Sequence, residues 1–320
     1  MMKVDAVITW VDGDDKAHRA KRFRYGSNGI LKEEDKAGDT RFSSLGEIFW
    51  CVASLNRFAP WLNKIYIVTD GQDPHLEDFL AENFPQGYIP VEIVDHKTIF
   101  RGYEQYLPTF NSISIETMTW RIPGLSDRFI ELNDDMMLLA PVNPHDFFLE
   151  DGRSVWYADS YSMHWTRFTR MLKGKGKVTF KGVMYNAAKL AGARWRFFKL
   201  NHAPRALQRG FYERLFTEFP ELVTRNISHR FRNAVQFTPQ EYQLMKLHYG
   251  GGCVVRPVRP YLFFVQPKKG KPEYLESKLR HLEESKALFA CFNSIDLATL
   301  EQRARLERWI EERLDIKLRR

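Results

Sequence analysis

Apolar and polar residues alternate along the first part of the chain in a rhythm that switches between strand-like and helix-like. Short β-branched and apolar runs predict strands at residues 4–11, 64–69, 91–94 and 129–132. Between them, helical spacing of apolar residues predicts helices at 45–58, 76–83 and 112–121. This repeated order indicates an α/β fold: a mostly parallel, Rossmann-like sheet with helices on both faces.

The strand rhythm is lost after residue 150. Helices are predicted at 185–198, 206–216, 240–247, 275–287 and 297–314, and apolar segments at 253–255 and 261–265 predict late strands that return to the sheet. We expect one α/β domain over residues 1–265, with a basic helical insertion at 165–235, and C-terminal helices at 266–320 packed on it. Residues 14–40 are polar and glycine-containing, which is typical of a mobile lid or, equally, of a disordered surface loop.

Composition narrows the class of protein. The chain has 320 residues, of which 44% are hydrophobic and 14% aromatic, so it can bury a full-sized core. Its three cysteines are far apart and form no Cys-x-x-Cys pair, which argues against a disulfide framework or a structural zinc site. The first residues do not resemble a signal peptide and no apolar run is long enough to span a membrane, so we expect a cytoplasmic protein.

The net charge of +8 is concentrated in one part of the chain. Residues 165–232 carry 16 Lys and Arg against 3 Glu, a balance of +13, so the rest of the chain sums to −5. A local positive surface attracts polyanions such as nucleotide diphosphates, an anionic polymer, anionic lipid or nucleic acid. Charge alone does not choose among these partners, and a solvated basic face would have the same composition.

Acidic residues follow each of the four predicted strands: Asp12, Asp14 and Asp15, then Asp70, then Asp95, then Asp134 and Asp135. Ligands of an open parallel sheet bind outside the carboxyl ends of its strands, so these acids should meet at one edge. Turn formation explains the Asp-Gly pairs. It explains Asn133-Asp134-Asp135 poorly, because an apolar run follows, where adjacent carboxylates are costly unless they bind a cation or accept hydrogen bonds. We therefore expect Asp134 and Asp135 to bind a metal.

An acidic edge combined with a basic segment suits chemistry on phosphate esters. Carboxylates hold Mg²⁺ or Mn²⁺, which stabilises negative charge on phosphate oxygens, and arginines bind the same oxygens. An accepting hydroxyl also needs a base. His202 is our candidate because it lies before Pro204 in the arginine-rich segment, although a lone histidine is often structural.

Several motifs resemble the signature regions of Stealth proteins. The first region is matched by Ile8-Thr9-Trp10-Val11-Asp12-Gly13. The second is matched by Arg41-Phe42, Ala59-Pro60-Trp61 and Lys64-Ile65-Tyr66-Ile67-Val68-Thr69-Asp70-Gly71-Gln72. The third is matched by Leu107-Pro108-Thr109-Phe110-Asn111-Ser112, Arg121-Ile122-Pro123-Gly124 and Leu132-Asn133-Asp134-Asp135. A looser fourth match contains His202-Ala203-Pro204, Phe219-Pro220 and Phe231-Arg232, so that the resemblance spans roughly residues 4 to 235.

The resemblance implies a fold of the nucleotide-sugar transferase type and a hexose-1-phosphate transferase activity. Members of the family include bacterial capsule polymerases, and the usual donor is a UDP-sugar, often UDP-GlcNAc, used with a divalent cation. The sugar and its phosphate move together onto a glycan hydroxyl and UMP leaves. The implied partners are the nucleotide-sugar donor and an anionic glycan acceptor. We also expect peripheral contact with the inner membrane or a capsule assembly machinery. We expect no nucleic acid partner, because the aromatic residues lie mainly in apolar patterns and form no base-stacking platform.

Carried over by position, the resemblance implies a role for each motif residue. The catalytic residues would be His202 as base, with Asp12, Arg232 and Asn111. Donor-binding residues would be Arg41, Asp14, Arg121 and Asn133, and the metal ligands Asp134 and Asp135. Two alternatives stay open: an Asp rather than His202 is the base, and Asn111 caps a helix, since Ser112 and a later Glu follow it.

One departure and two rival functions accompany this interpretation. Family members often carry arginines where this chain reads Ile48-Phe49-Trp50-Cys51-Val52-Ala53-Ser54, so either those arginines are not catalytic or the specificity of this enzyme differs. A metal-dependent glycosyltransferase, which would release UDP, fits the sheet and the acids equally well. A non-enzymatic polyanion-binding module fits the basic segment, and it predicts strongly salt-dependent binding without any need for the acids.

Overall fold

A parallel sheet forms the centre of the fold. A computed structural model describes residues 2–26, 45–172, 180–267 and 273–318. Strands β1 (Val4–Thr9), β2 (Ile65–Thr69), β3 (Val91–Asp95) and β4 (Arg128–Asn133) lie in the order β3-β2-β1-β4 and are all parallel. This confirms the predicted α/β class and its four strands.

Helices follow the strands in the first half. They are α1 (Lys16–Gly26), α2 (Glu47–Phe58), α3 (Glu77–Asn83), α4 (His96–Ile99) and α5 (Ser112–Glu116). The predicted helix at 112–121 is shorter than expected: α5 ends at Glu116 and a 3-10 turn covers Thr119–Arg121. Thr117 Oγ1 donates back to the Ile113 carbonyl, and residues 122–123 are Ile-Pro, so the chain leaves the helical path early.

The second half contains strands that the sequence pattern hid. It consists of β5 (Met136–Leu138), β6 (Ser154–Ser162), α6 (Met163–Leu172), α7 (Phe180–Leu190), β7 (Arg196–Leu200), β8 (Arg205–Gln208), α8 (Arg209–Glu218), α9 (Pro220–Ile227), α10 (Pro239–Tyr249), β9 (Cys253–Arg256), β10 (Leu262–Val265), α11 (Glu273–Glu283), β11 (Phe289–Phe292) and α12 (Leu300–Leu314). Strand β8 joins the main sheet antiparallel to β4, and two three-stranded sheets have the orders β10-β11-β5 and β7-β6-β9.

Four predictions for this half were wrong in whole or in part. The strand rhythm continues after residue 150 in β6. The predicted helix at 185–198 ends at Leu190, and β7 follows because it pairs antiparallel with β6. The start of the predicted helix at 206–216 is β8, which pairs with β4. The late strands β9 and β10 do form, but they belong to the two smaller sheets instead of returning to the main one.

The predicted loop at residues 14–40 is helical at its start. Helix α1 lies against the carboxyl ends of the strands: Lys21 Nζ donates to Asp70 Oδ2 at 2.7 Å, and the ring of His18 meets that of Phe110 at 5.5 Å between centroids. The remainder of that loop, and the basic segment at 173–177, lie outside the described residues.

Two hydrophobic cores cover the two faces of the main sheet. Ala6 and Ile8 of β1 point into the core that contains α2, whereas Val7 points into the core that contains Phe129. Successive residues of β1 thus point into opposite cores, as expected for a strand that is buried on both faces. This confirms the predicted helices on both faces of the sheet. None of the described helices combines the length and the apolar character needed to cross a bilayer.

The C-terminal residues pack on the first of these cores. The buried residues of α12 are Leu306, Trp309, Ile310 and Leu314. Strand β11 pairs with β5, which follows β4 directly, and so residues beyond 265 add a strand to the fold as well as helices. The predicted domain boundary at 265 stays a prediction.

Candidate active site at the carboxyl edge of the sheet

The acidic ends of the four parallel strands lie at one edge, as their shared direction requires. Thr9 is opposite Asn133 in the pairing of β1 with β4, and Thr69 is opposite Asp95 in the pairing of β2 with β3. The residues that follow these positions therefore lie side by side, with α1 against part of the edge.

Asp135 is the centre of a polar cluster at this edge. Its Oδ2 accepts hydrogen bonds from Cys291 Sγ at 3.3 Å and from Asn293 Nδ2 at 3.1 Å. His202 Nδ1 lies 4.0 Å from the same oxygen. The ligand atoms of Asp135, His202 and Cys291 all lie within 4.8 Å of one another. Asp135 Oδ1 and His202 Nδ1 are buried without a hydrogen bond among the described residues, so both atoms are available to a ligand.

Neighbouring acids give this cluster an excess of negative charge. Burial, followed by the charges of Asp135 and Glu47, raises the pKa of Asp134 well above its usual range. Burial and the nearby Asp135 and Asp296 raise the pKa of Glu47 to about 7. The repulsion between like charges in a buried site is reduced when one group takes up a proton or when a cation binds.

The atoms present fit a hard divalent cation. Magnesium and manganese prefer oxygen ligands, and the carboxylate of Asp135 offers them within this cluster. Asp134 is not among the clustered ligand atoms, and its predicted role as a metal ligand stays a prediction. Cys291 is less suited to be a ligand, because burial and then the charge of Asp135 raise the pKa of its thiol well above the usual range. The protonated thiol donates to Asp135 instead and helps to hold the carboxylate in place.

His202 lies on the loop between β7 and β8, and this loop brings its ring close to Asp135. Its ring lies 5.3 Å from that of Phe264 between centroids. The side chain is 40% exposed although its Nδ1 is buried. Burial is the main cause that lowers the pKa of His202. The negative charge of Asp135 raises this pKa, whereas the positive charges of Arg205, Lys199 and Arg232 lower it further. The imidazole is therefore neutral near pH 7 and able to accept a proton.

A network of buried polar side chains lies next to Asn133, the residue before Asp134 and Asp135. Arg205 Nη1 donates to Asn133 Oδ1 at 3.2 Å and lies 3.4 Å from Glu131 Oε2. Gln240 Nε2 bonds Glu131 Oε2 at 2.5 Å and Glu116 Oε2 at 3.0 Å. Asn133, predicted to bind the donor, thus lies at the edge of the site with its amide oxygen held by Arg205.

Asp12 and Asp14 lie on the loop after β1. The side chain of Gln72 braces this loop, since Asp12 N donates to Gln72 Oε1 at 3.0 Å and Gln72 Nε2 donates to the Asp12 carbonyl at 2.9 Å. Asp14 N donates to Asp12 Oδ1 at 2.9 Å. Asp14 is exposed and Asp12 is half-buried, and their predicted catalytic and donor-binding roles stay predictions.

The remaining predicted residues have different surroundings. Arg232 Nη2 donates to Ser112 Oγ at 2.9 Å, and its charge acts on His202. Arg121 donates from Nη1 and Nη2 to the carbonyls of Ile99 and Arg101, both at 2.7 Å, and braces the chain after α4. Arg41 lies outside the described residues. The roles predicted for these three arginines stay predictions.

Asn111 is buried and makes hydrogen bonds within the protein. Its Oδ1 accepts from Ile113 N at the start of α5, and its Nδ2 donates to the His229 carbonyl and to Gln236 Oε1, both at 3.0 Å. These contacts describe the helix cap that the sequence left open. They also join the start of α5 to the segment that carries Arg232. Its predicted catalytic role stays untested.

Replacing Asn111 with alanine is expected to lower the free energy of unfolding by about 2–3 kcal/mol, because a cap is lost and buried acceptors lose their donor. Chemical denaturation measures this change. Asn143→Ala removes an exposed cap residue and should cost about 1 kcal/mol or less. Wild-type stability of Asn111→Ala combined with lost activity would instead place the amide in the reaction.

Sequence reasoning missed Cys291, Asn293, Glu47 and Arg205. Cys291 was set aside because it had no nearby cysteine in sequence, and 156 residues separate it from Asp135. Strand β11 was not predicted, so the chemistry of the residues at its end had no place in the sheet. The only available signal was a polar Asn293 directly after a short, fully apolar run.

Comparison with known proteins agrees with this geometry. The model of Stealth protein conserved region 1 matches residues 2–29, and that of conserved region 2 matches residues 41–155. These ranges contain the first three groups of motifs, whereas His202 and Arg232 lie outside both.

Curated relatives are named as polysaccharide phosphotransferases. The chain is 35% identical over 244 residues to the exopolysaccharide phosphotransferase SCO6021 of Streptomyces coelicolor, a match that covers 74% of this chain and 41% of that protein. It is 40% identical over 152 residues to the capsular polysaccharide phosphotransferase WcwK of Streptococcus pneumoniae, covering 48% and 43%. It is 27% identical over 297 residues to the capsular polysaccharide phosphotransferase LcbA of Neisseria meningitidis, covering 91% and 77%.

The chain spans between 41% and 50% of the length of three of the Streptomyces relatives it matches. Among solved structures, it is similar to the galactosyltransferase LgtC in complex with donor and acceptor sugar analogs, with a TM-score of 0.47 and 14% identity over 99% of this chain and 97% of that one. With both conserved regions matched in order and the acidic strand ends of those regions meeting at one edge, this chain belongs to the Stealth protein family.

Proposed function

We propose that this chain transfers a sugar-1-phosphate from a UDP-sugar, UDP-GlcNAc in the first instance, to a hydroxyl of a glycan and releases UMP. The product is a phosphodiester-linked polysaccharide of the capsular or exopolysaccharide class. Its support is the named activity of the relatives together with the site at the carboxyl edge of the sheet. Cytoplasmic location and peripheral membrane contact stay predictions.

The observation that carries this proposal is the meeting of Asp135 and His202. They come from segments 67 positions apart in sequence, yet His202 Nδ1 lies 4.0 Å from Asp135 Oδ2. His202 Nδ1 and Asp135 Oδ1 are both buried without a hydrogen bond among the described residues. A carboxylate for a cation and a neutral base within about 4 Å of each other are the two groups that phosphoryl transfer to a hydroxyl requires. A purely structural role would be expected to give Asp135 Oδ1 and His202 Nδ1 hydrogen-bond partners within the protein as well.

In the reaction, the acceptor oxygen forms a bond to the sugar-bearing phosphorus of the donor, and the bond from that phosphorus to the oxygen of UMP breaks. His202 takes the proton of the hydroxyl. Arg232 lies near this ring and neutralises charge on the phosphoryl oxygens. Asp134 and Asp135 would hold Mg²⁺ or Mn²⁺, which neutralises the donor pyrophosphate when bound. Cys291 and Asn293 fix the Asp135 carboxylate.

A metal-dependent glycosyltransferase is the second candidate function, because the same acids would serve it. In that reaction the hydroxyl attacks the anomeric carbon and UDP leaves. The names of the relatives favour phosphate transfer. A binding module without catalysis does not account for the buried acids around Asp135.

The released nucleotide tests the proposal. The chain is incubated with UDP-GlcNAc, Mg²⁺ and a capsule oligosaccharide, and the products are separated by chromatography. UMP together with phosphorus in the glycan supports sugar-phosphate transfer. UDP contradicts it in favour of glycosyl transfer. If neither nucleotide appears across a panel of donors, the chain on its own does not catalyse the reaction.

Divalent cations should stabilise the folded chain in a pH-dependent way. The pKa values of Asp134 and Glu47 are raised in the folded state, so the unfolded chain releases these protons at a lower pH than the folded chain does. Without metal, the stability of the fold therefore falls as pH rises from the usual carboxyl range through about 7. A cation removes this penalty. Thermal unfolding should therefore show Mn²⁺ or Mg²⁺ raising Tm by several degrees near pH 8 and less near pH 5. An equal increase in the Asp135→Asn variant would contradict binding at this carboxylate.

A further inference from the structure

A groove of about 410 Å³ lies beside β7, away from the acidic cluster. It is formed where the N-terminal end of β7 meets the C-terminal end of α10. Its principal side chains are Arg194, Trp195, Arg196, Phe198, His248 and Tyr249. The proposed reaction uses none of them.

Aromatic rings form much of the wall of this groove. Trp195 is 71% exposed and Tyr249 is 53% exposed. Phe198 is half-buried and packs edge-on against His248, with 4.7 Å between ring centroids. Large rings left in water beside a concavity mark binding surfaces, and their flat faces suit the C–H faces of sugar rings.

Arginines give the groove a positive charge. Arg196 is fixed in place, since its Nε donates to Ser160 Oγ at 2.7 Å and its Nη2 to the Ser160 carbonyl at 3.3 Å. Arg194 is exposed and makes no hydrogen bond or ion pair with the described residues. No acid is among the described residues that line the groove, and the sequence has no Asp or Glu from Ser160 to Tyr212. A fixed guanidinium beside a free one is suited to phosphodiester groups spaced along a chain.

Strand β7 leads from the groove to the base. Trp195 and His202 are seven residues apart, which at about 3.3 Å per extended residue is at most roughly 23 Å. Lys199, between them, is close enough to act on the charge state of His202. A polymer whose reacting end lies at His202 therefore reaches the groove with units a short way behind that end.

We propose that this groove binds the growing glycan as a polyanion, holding its sugar-phosphate units behind the reacting hydroxyl. This inference rests on the proposed function, because it assigns the acceptor to the same enzyme. A bilayer is the less suitable occupant, because its surface would contact only the exposed Trp195 and Tyr249, whereas a polymer can enter the concave groove and also contact Phe198.

Binding of a phosphodiester-linked oligomer of N-acetylglucosamine tests the groove without catalysis. Isothermal titration calorimetry compares the wild type, the Trp195→Ala/Arg194→Gln double variant and a Tyr88→Ala/Arg308→Gln control. The control removes the same charge and an exposed ring from elsewhere on the surface. We expect the groove variant to bind about tenfold more weakly, equivalent to about 1.4 kcal/mol, with the control unchanged. We also expect the uncharged chitin oligomer of equal length to bind more weakly than the phosphodiester oligomer.

The same variants separate this inference from the proposed function. Transfer to a monosaccharide acceptor, measured by UMP release, should be unchanged in the groove variant, because a short acceptor does not reach Trp195. Equal oligomer binding by wild type and groove variant overturns the inference, as does failure of the wild type to bind. Loss of binding to phosphatidylglycerol vesicles with glycan binding intact assigns the surface to a bilayer and also overturns it. Absence of UMP with every acceptor defeats the proposed function, while the calorimetry still decides the groove.

Discussion

Asp135→Asn is expected to reduce sugar-phosphate transfer by about a thousandfold or more while leaving the chain folded. The amide keeps nearly the same shape but removes the negative charge that would hold the cation. Its oxygen can still accept from Cys291 Sγ and Asn293 Nδ2. The measurement is kcat with UDP-GlcNAc at saturating metal, with circular dichroism as the check on folding.

Asp73→Asn is the matched control for this variant. Asp73 lies on the loop after β2, its side chain is 46% exposed, and its Oδ1 accepts from the His75 backbone, so its loss should change kcat by less than about twofold. If Asp135→Asn keeps most of its activity, the carboxylate does not bind the catalytic cation, and Asp134 becomes the residue to test.

His202→Gln is expected to reduce kcat by about a hundredfold to ten-thousandfold, because glutamine can donate and accept hydrogen bonds but cannot take up the proton of the hydroxyl. The pKa of His202 is lowered below its usual value of 6.5, chiefly by burial. The base works in its neutral form, so the wild-type rate should rise with pH through a value below 6.5 and then level off. The variant should lose this rise.

His145→Gln controls for the loss of an imidazole, since the His145 side chain is 57% exposed and makes only a long contact with Glu150. Its pH profile should match that of the wild type. A rising limb that persists in His202→Gln would show that another group is the base, and Asp12 would then be the first residue to replace. Restoration of His202→Gly activity by added imidazole would support the assignment, because this half-exposed position can admit a small molecule.

The site is built from segments that are distant in sequence, and this explains the uneven success of the sequence predictions. Asp134 and Asp135 were identified because two adjacent acids before an apolar run are unusual on their own. His202 was selected by its basic surroundings. Cys291 and Asn293 carry no such local mark, and they reach Asp135 only because β11 pairs with β5. The burial of Asn111 was equally invisible, since it depends on a segment more than a hundred residues further along the chain.

The sequence by itself determined the succession of β1 to β4 along the chain, the burial of the sheet on both faces and the position of acids at the strand ends. These features follow from local patterns, because apolar alternation, helical spacing and turn residues act over a few positions. Tertiary structure alone decided that residues 196–200 and 205–208 are strands, because pairing with β6 and β4 outweighs their local preference. It also decided which atoms surround Asp135, because a contact across 156 residues depends on how the whole chain folds and leaves no pattern within either segment.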